Sequence, residues 1–232
     1  MSQRVALVTG GARRVGAHLV RFLAERGWRV IVNYRTSGDA AEALAAETGG
    51  RALQGDVSSR DEVARMFADV AAHEGHLDLL VNNVGIYEPK PLLEVTPDDW
   101  DAALGANLSG SFYCIHAALP LLREGGQIVT LGYAGLDTLA ANPEATPYQV
   151  SKTGMLVLTK SLAVALGPRR IRANMISPGQ LANSVDLPED IEATIPLGRA
   201  GTLDDIASAL GFLLDNTYVT GVNLDVAGGY RA

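Results

Sequence analysis

The chain has 232 residues, 47% of them hydrophobic, and its 19 basic and 26 acidic side chains leave a formal net charge of −7. That length suits one α/β domain over 1–232 with a sizeable core, and the acidic balance argues against nucleic acid as a partner, because holding a phosphate backbone needs a basic face. The single cysteine, Cys114, excludes an internal disulfide, suits a reducing compartment and reads as a small buried apolar residue. The apolar run at 5–8 is too short for the core of a leader, and no segment reads as approaching the ~18 apolar residues of a bilayer span. The expectation is a soluble cytoplasmic protein without a membrane partner.

In chain order, short apolar runs recur at 4–9, 28–33, 51–54, 77–82, 127–131, 171–176 and 222–226. Continuous runs of this kind suit strands covered on both faces. Helical patterns fall between them. The pattern at 15–25 stops at Gly27, a C-terminal cap residue. The pattern at 59–73 opens with Ser-Arg-Asp-Glu, and Thr96-Pro97-Asp98-Asp99 has the composition of a helix start, so the two aspartates read as helix-start residues and not as a catalytic pair. The pattern at 203–214 opens with Asp204-Asp205 in the same way. Strands alternating with helices predict a single doubly wound parallel sheet of about seven strands, helices on both faces, of the Rossmann type. Ligands of such sheets bind beyond the carboxyl ends of the strands.

The first such end carries TGGARRVG, Thr9 to Gly16. Gly10, Gly11 and Gly16 let the backbone turn sharply and approach a ligand, and the helix that follows offers its first amides to an anion. The second strand ends Asn33-Tyr34-Arg35-Thr36-Ser37, with no acid before Asp39. An acid at this place holds the ribose hydroxyls of NAD, whereas arginine forks onto a 2′-phosphate. Arg35, Ser37 and the first-loop arginines Arg13 and Arg14 therefore predict a pocket for NADP(H), with Arg14 sharing it with Arg35 and Ser37.

Six motifs in order resemble the short-chain dehydrogenase/reductase family along essentially the whole chain. Thr9-Gly10 to Gly16 is similar to its TGxxxGxG loop, with Arg14 at the middle glycine. Gly55-Asp56-Val57 resembles the segment whose aspartate meets the adenine amino group. Asn82-Asn83-Val84-Gly85 resembles NNAG. Asn107 stands at the family's helix asparagine, Tyr148 and Lys152 at its YxxxK pair, and Ser177-Pro178-Gly179 at the loop over the nicotinamide. The Pro196–Arg199 and Asp225–Gly229 segments resemble its C-terminal signature. The resemblance extends the cofactor wall to Val15, Tyr34, Val57 and Leu181. It implies that Tyr148 donates a proton, that Lys152 holds the nicotinamide ribose, that Asn107 positions a water and that the chain forms a homotetramer. Independently of the family, residues four apart on a helix share a face. An ammonium beside a phenol, ordinarily near pKa ~10, favours its ionisation.

The chain also departs from the pattern. Gly132-Tyr133 stands where Ser-Ser is usual, so Tyr133 is a candidate source of the missing hydroxyl. Asn183 replaces a common threonine. The segment from Gln180 to Ile195 predicts a short lid with Leu181, Val185 and Leu187 as candidate contacts. Arg14, the missing serine and Ser184-Val185-Asp186-Leu187-Pro188 resemble pteridine reductases, while Val32-Asn33-Tyr34 is equally similar to 3-oxoacyl-carrier-protein reductases. The expected activity is NADPH-dependent hydride transfer to a small-molecule carbonyl, imine or acyl thioester; the alternative is a catalytically silent NADP(H) sensor. The four histidines show no ligand spacing, and no metal is expected.

Overall fold

The computed structural model describes residues 3–184, 187 and 189–230. The elements alternate: β1 (Val5–Val8), α1 (Arg14–Glu25), β2 (Arg29–Tyr34), α2 (Gly38–Thr48), β3 (Arg51–Gln54), α3 (Arg60–His73), β4 (Leu77–Asn82), α4 (Pro97–Leu104), α5 (Gly110–Ala118), β5 (Leu122–Leu131), α6 (Thr146–Leu166), β6 (Arg172–Pro178), α7 (Ile191–Thr194), α8 (Leu203–Asp215) and β7 (Asn223–Val226). The seven strands form one parallel sheet in the order β3-β2-β1-β4-β5-β6-β7. The order reverses direction at β1–β4, which opens a crevice at the carboxyl ends of those strands.

Two cores sandwich the sheet. Leu7, Leu80 and Ile128 face α3, α5 and α6, meeting Phe67, Ile115 and Met155. Their neighbours Val8, Val81 and Val129 face α1 and α8, meeting Val20, Leu23 and Leu210. Successive strand residues point to opposite faces, so a strand buried twice is apolar throughout. Cys114 lies in the first core, and burial pushes its thiol up to about 12, which leaves it unreactive.

Three helix starts are capped as their sequences imply. Thr96 and Asp99, and Thr202 and Asp205, form reciprocal capping boxes, and Ser59 accepts the Glu62 amide. At α1 the N-cap residue Arg13 makes no side-chain cap bond and the first turn holds no acid.

Two expectations need correction. Strand β5 begins at Leu122 and not at 127, because Leu122 pairs with Leu77 before a register shift. One helix, Thr146–Arg169 with its 3₁₀ extension, is long and apolar enough by length and composition to cross a membrane. Its apolar content serves packing here: Met155 and Leu156 are buried in the first core, against the sheet.

Candidate active site

The floor of the crevice is a set of buried polar side chains whose bonds fasten three loops together. Thr9, 2% exposed, accepts the Asn83 and Val84 amides on Oγ1 at 3.0 and 3.3 Å. Asn83 Nδ2 returns bonds to the Thr9 and Gly10 carbonyls at 2.9 and 3.1 Å. The same nitrogen stands 2.7 Å from where a β-carbon at Gly16 would lie, so no larger residue fits there. Asn33 Oδ1 accepts the Gly10 amide at 3.1 Å, and its Nδ2 donates to Gly55 at 3.0 Å. Sequence reading passed over Asn33 as a positioning group; its signal is a buried asparagine at the end of an otherwise apolar strand.

At the outer end, Arg35 leaves β2 and places Nη1 3.3 Å from Asp56 Oδ2. Asp56 also accepts the Ser58 amide and hydroxyl at 2.9 and 2.7 Å. Partial burial pushes the Asp56 carboxyl up, but the Ser58 and Arg35 bonds outweigh it and hold the group below its ordinary value. Tyr34 packs beside Gly38, and Ser37 precedes α2 without capping it. Val57 is buried in the first core.

At the inner end, α6 presents Tyr148 and Lys152 one turn apart. Lys152 is 3% exposed, donates to the Leu131 carbonyl at 2.7 Å and sits 5.7 Å from the Tyr148 ring centroid. Burial lowers its amine to about 8. Asn107 lies in a π turn, Gly105–Ser109, between α4 and α5. Its amide accepts from Ile86 N at 2.7 Å and donates to Ile86 O at 3.0 Å and to Ser151 Oγ at 3.1 Å; Ser151 in turn donates to Tyr148 O at 2.7 Å. Asn107 thus ties the loop after β4 to α6.

A cavity of about 310 Å³ opens above this floor. Tyr148, Lys152 and Tyr133 line it with Asn83, Gly85 and Val15. The Pro178-Gly179 loop closes one side, held by the Gly179 amide on Val226 O at 3.0 Å. The Tyr133 ring lies 5.4 Å from the Tyr148 ring and Tyr87 packs edge-on to it at 5.1 Å. Tyr87 was not expected; its only signal was an aromatic two residues past the Asn-Val-Gly turn. At Gly132 a serine has no room, because a β-carbon would collide with Ser177 Oγ.

The structure separates residues that the sequence groups together. Arg14 lines the cavity of Tyr148, while Arg13, Arg35 and Ser37 do not. Arg14 also has φ +50°, the left-handed region that favours glycine. That explains why a glycine is usual at this place in the family loop. Of the lid candidates, Leu181 is 7% exposed and belongs to the second core as well as the cavity wall. Leu187 is half-buried, and Val185 lies outside the described residues, as do Asp186 and Pro188. Asn183 and Ser184 line the cavity.

Residues 10–231 match the family model described as Enoyl-(Acyl carrier protein) reductase. The chain is 36% identical over 239 residues to a 3-oxoacyl-[acyl-carrier-protein] reductase of Staphylococcus aureus, covering 97% of this chain and 96% of that protein. It is 34% identical to the reductase of the same name from Synechocystis, covering 99% and 97%. Among solved structures, a blue fluorescent protein from a metagenomic library in complex with NADPH is 36% identical with a TM-score of 0.91, covering 99% of this chain and 98% of that one. A short chain dehydrogenase from Burkholderia cenocepacia in complex with NADP is 33% identical with a TM-score of 0.90, covering 99% and 98%. The chain belongs to the short-chain dehydrogenase/reductase family and is an oxidoreductase.

Proposed function

We propose that the protein is an NADPH-dependent reductase that transfers hydride to a C=O or C=N carbon, with Tyr148 as proton donor. The observation that carries this reading is the Tyr148–Lys152 pair, with the ammonium on a buried main-chain carbonyl at the floor of a cavity.

The residues present fit the cofactor. Gly16 has no space for a side chain at the first loop. The first turn of α1 is uncapped and free of acid, so its amides and the helix dipole suit a diphosphate. Arg13 and Arg35 are exposed cations and Ser37 an uncommitted cap residue, a donor set for a 2′-phosphate. Asp56 would face the adenine and Pro178, Gly179 and Leu181 the nicotinamide end. When bound, NADPH supplies the hydride.

The chain's own part is positional and acid–base. Lys152 keeps a positive charge beside the phenol, which lowers the cost of losing its proton. Tyr148 gives that proton to the substrate oxygen or nitrogen as the adjacent carbon gains hydride, so one O–H bond breaks and one O–H or N–H bond forms. The phenolate is reprotonated from solvent past Lys152 and Asn107. Tyr133 would donate a hydrogen bond to the substrate in place of the absent serine. The likeness to 3-oxoacyl-[acyl-carrier-protein] reductases supports a 3-oxo acid or one of its acyl derivatives as the class of substrate.

The protein would act as a homotetramer. Val150, Val157 and Val164 stand seven residues apart along α6, 41%, 62% and 80% exposed, and Phe112 on α5 is 45% exposed. An apolar stripe of this kind suits a second copy. Sedimentation of the pure protein measures the assembly, and a monomer would refute it. For the chemistry, Tyr148→Phe should remove NADPH turnover and leave NADPH binding by fluorescence titration intact; turnover retained by that variant would sink the assignment.

A further inference from the structure

The cavity wall is lopsided in charge. Among the described residues that line it, the charged side chains are Arg14 and Lys152, and none is acidic, in a chain of net charge −7. Lys152 lies at the floor and is committed to Leu131 O. Arg14 is exposed and makes no hydrogen bond or ion pair with any described residue. Several other arginines are paired with carboxylates, as in Arg21–Glu47, Arg26–Asp215 and Arg199–Asp205, and Arg13, unpaired like Arg14, does not line the cavity. Arg14, an unpaired cation whose backbone is held at φ +50°, therefore stands in the wall of the cavity that holds Tyr148. Residues held in sparsely populated backbone regions cluster at ligand sites.

An aromatic side chain narrows the same cavity. Tyr133 puts an aromatic ring 5.4 Å from that of Tyr148, where the family pattern has a small hydroxyl residue. The whole cavity measures about 310 Å³, and the nicotinamide end of the cofactor must share it. The reacting end of the substrate therefore lies close to both Tyr133 and Tyr148.

We infer that the substrate is a compact carbonyl compound carrying an ionised carboxylate, which Arg14 holds while the carbonyl lies between Tyr133 and Tyr148. The inference rests on the reductase reading above and narrows it. A guanidinium forks onto a carboxylate with two parallel hydrogen bonds. An ester or thioester of the same acid offers neutral acceptors and extra bulk, and leaves Arg14 partly desolvated without a partner. Arg14 is thus a specificity-determining residue, outside the proton transfer itself.

The test uses three compounds with one reducible ketone: acetoacetate, methyl acetoacetate and S-acetoacetyl-N-acetylcysteamine. NADPH oxidation is followed with the wild-type chain and with Arg14→Gly, and NADPH and NADH dissociation constants are measured separately by fluorescence titration. The wild type should prefer acetoacetate by at least about tenfold in kcat/KM, Arg14→Gly should erase that preference, and its NADPH dissociation constant should move less than about threefold. Malonate, which cannot be reduced, should compete with acetoacetate for the wild type and not for the variant, and should perturb the fluorescence of the wild-type NADPH complex. Equal or better use of the esters overturns the inference. So does a variant that keeps the preference but binds both nucleotides tenfold more weakly, because Arg14 then serves the cofactor. Turnover of none of the three, with malonate leaving the NADPH complex unperturbed, also overturns it. Failure of NADPH to bind at all would overturn the reductase reading itself, and the titration reports that separately.

Discussion

The floor and the rim of the crevice are built on opposite principles. On the floor, Thr9, Asn33, Asn107, Ser151 and Lys152 are all 3% exposed or less, and every one of them is hydrogen-bonded to another segment of the chain. On the rim, Arg13, Arg14 and Arg35 are exposed, Tyr133 and Tyr87 are half-buried, and the wall continues into the segment around Leu181–Ser184. Family motifs lie almost entirely on the floor, and departures from them lie on the rim. A buried polar network tolerates few alternatives, because each unpaired group costs about 1–3 kcal/mol. A solvated rim can exchange one side chain for another at little cost in folding.

Breaking the floor should have the largest effects. Tyr148→Phe should lower kcat by about a thousandfold, within the range expected for loss of a general acid, and stopped-flow single turnover would locate the loss in the chemical step. Lys152→Met should abolish turnover and yet make the fold more stable. The Lys152 amine titrates near 8 in the folded chain against an ordinary 10.5, and that gap corresponds to about 3 kcal/mol of burial cost. Losing the bond to Leu131 O returns about 1 kcal/mol, leaving a gain of roughly 2 kcal/mol at pH 7. Below pH 8 both folded and unfolded chains hold the proton, so the cost is present in full. Between 8 and 10.5 the folded chain has released it and the unfolded chain has not, so the cost shrinks as pH rises. Urea unfolding at pH 7 and pH 10 should show the advantage of Lys152→Met narrowing; a constant advantage would show that the amine is not perturbed by burial.

The same division decides what could be read from the sequence. The sheet was legible because strands buried on both faces leave continuous apolar runs. Helix α2 was not, because Gly-Asp-Ala-Ala-Glu-Ala-Leu-Ala-Ala-Glu-Thr has alanine on every face and no strong periodicity. The start of β5 was missed because Arg123-Glu124-Gly125-Gly126 has the composition of a turn, although it continues the strand. On the floor, motif spacing identified Thr9, Asn83, Asn107, Tyr148 and Lys152 together. On the rim it named Arg14 as a departure and grouped it with Arg35 and Ser37, whereas Arg14 lines the cavity of Tyr148 and those two do not; spacing carries no information about which wall a loop residue joins. Tyr87 was missed for a similar reason: nothing local marks a loop aromatic that meets Tyr148 only after the β4–α4 connection folds over α6.

On the rim the effects should be smaller and selective. If Arg35 holds the 2′-phosphate as proposed, Arg35→Ala should remove a charge-assisted contact, a loss of about 1.5–3 kcal/mol. NADPH binding should therefore weaken on the order of 10- to 100-fold while NADH binding changes little. Isothermal titration with both nucleotides checks this. Equal losses would mean that Arg35 acts only through its pairing with Asp56, 3.3 Å away.

The smallest effect sharpens the comparison most, because it concerns stability at a rim position. Arg14 and Arg170 both hold φ near +50°, at +50° and +55°, and a non-glycine residue there carries about 1 kcal/mol of strain. Arg170 lies at the far end of the sheet, paired with Glu124 at 2.9 Å with both side chains well exposed, a pair worth well under about 1 kcal/mol. Glycine at either position relieves the strain, so Arg14→Gly and Arg170→Gly should each raise the melting temperature by about 2–4 °C per kcal/mol gained. Turnover should separate them. Arg170→Gly should keep wild-type kinetics, whereas Arg14→Gly should gain stability and lose discrimination between acid and ester. Strain at Arg170 is then incidental, and strain at Arg14 is retained because the guanidinium is needed where only glycine would sit comfortably. If Arg14→Gly were instead less stable than the wild type, the left-handed conformation would not be a cost, and the backbone argument for a ligand at this position would fail.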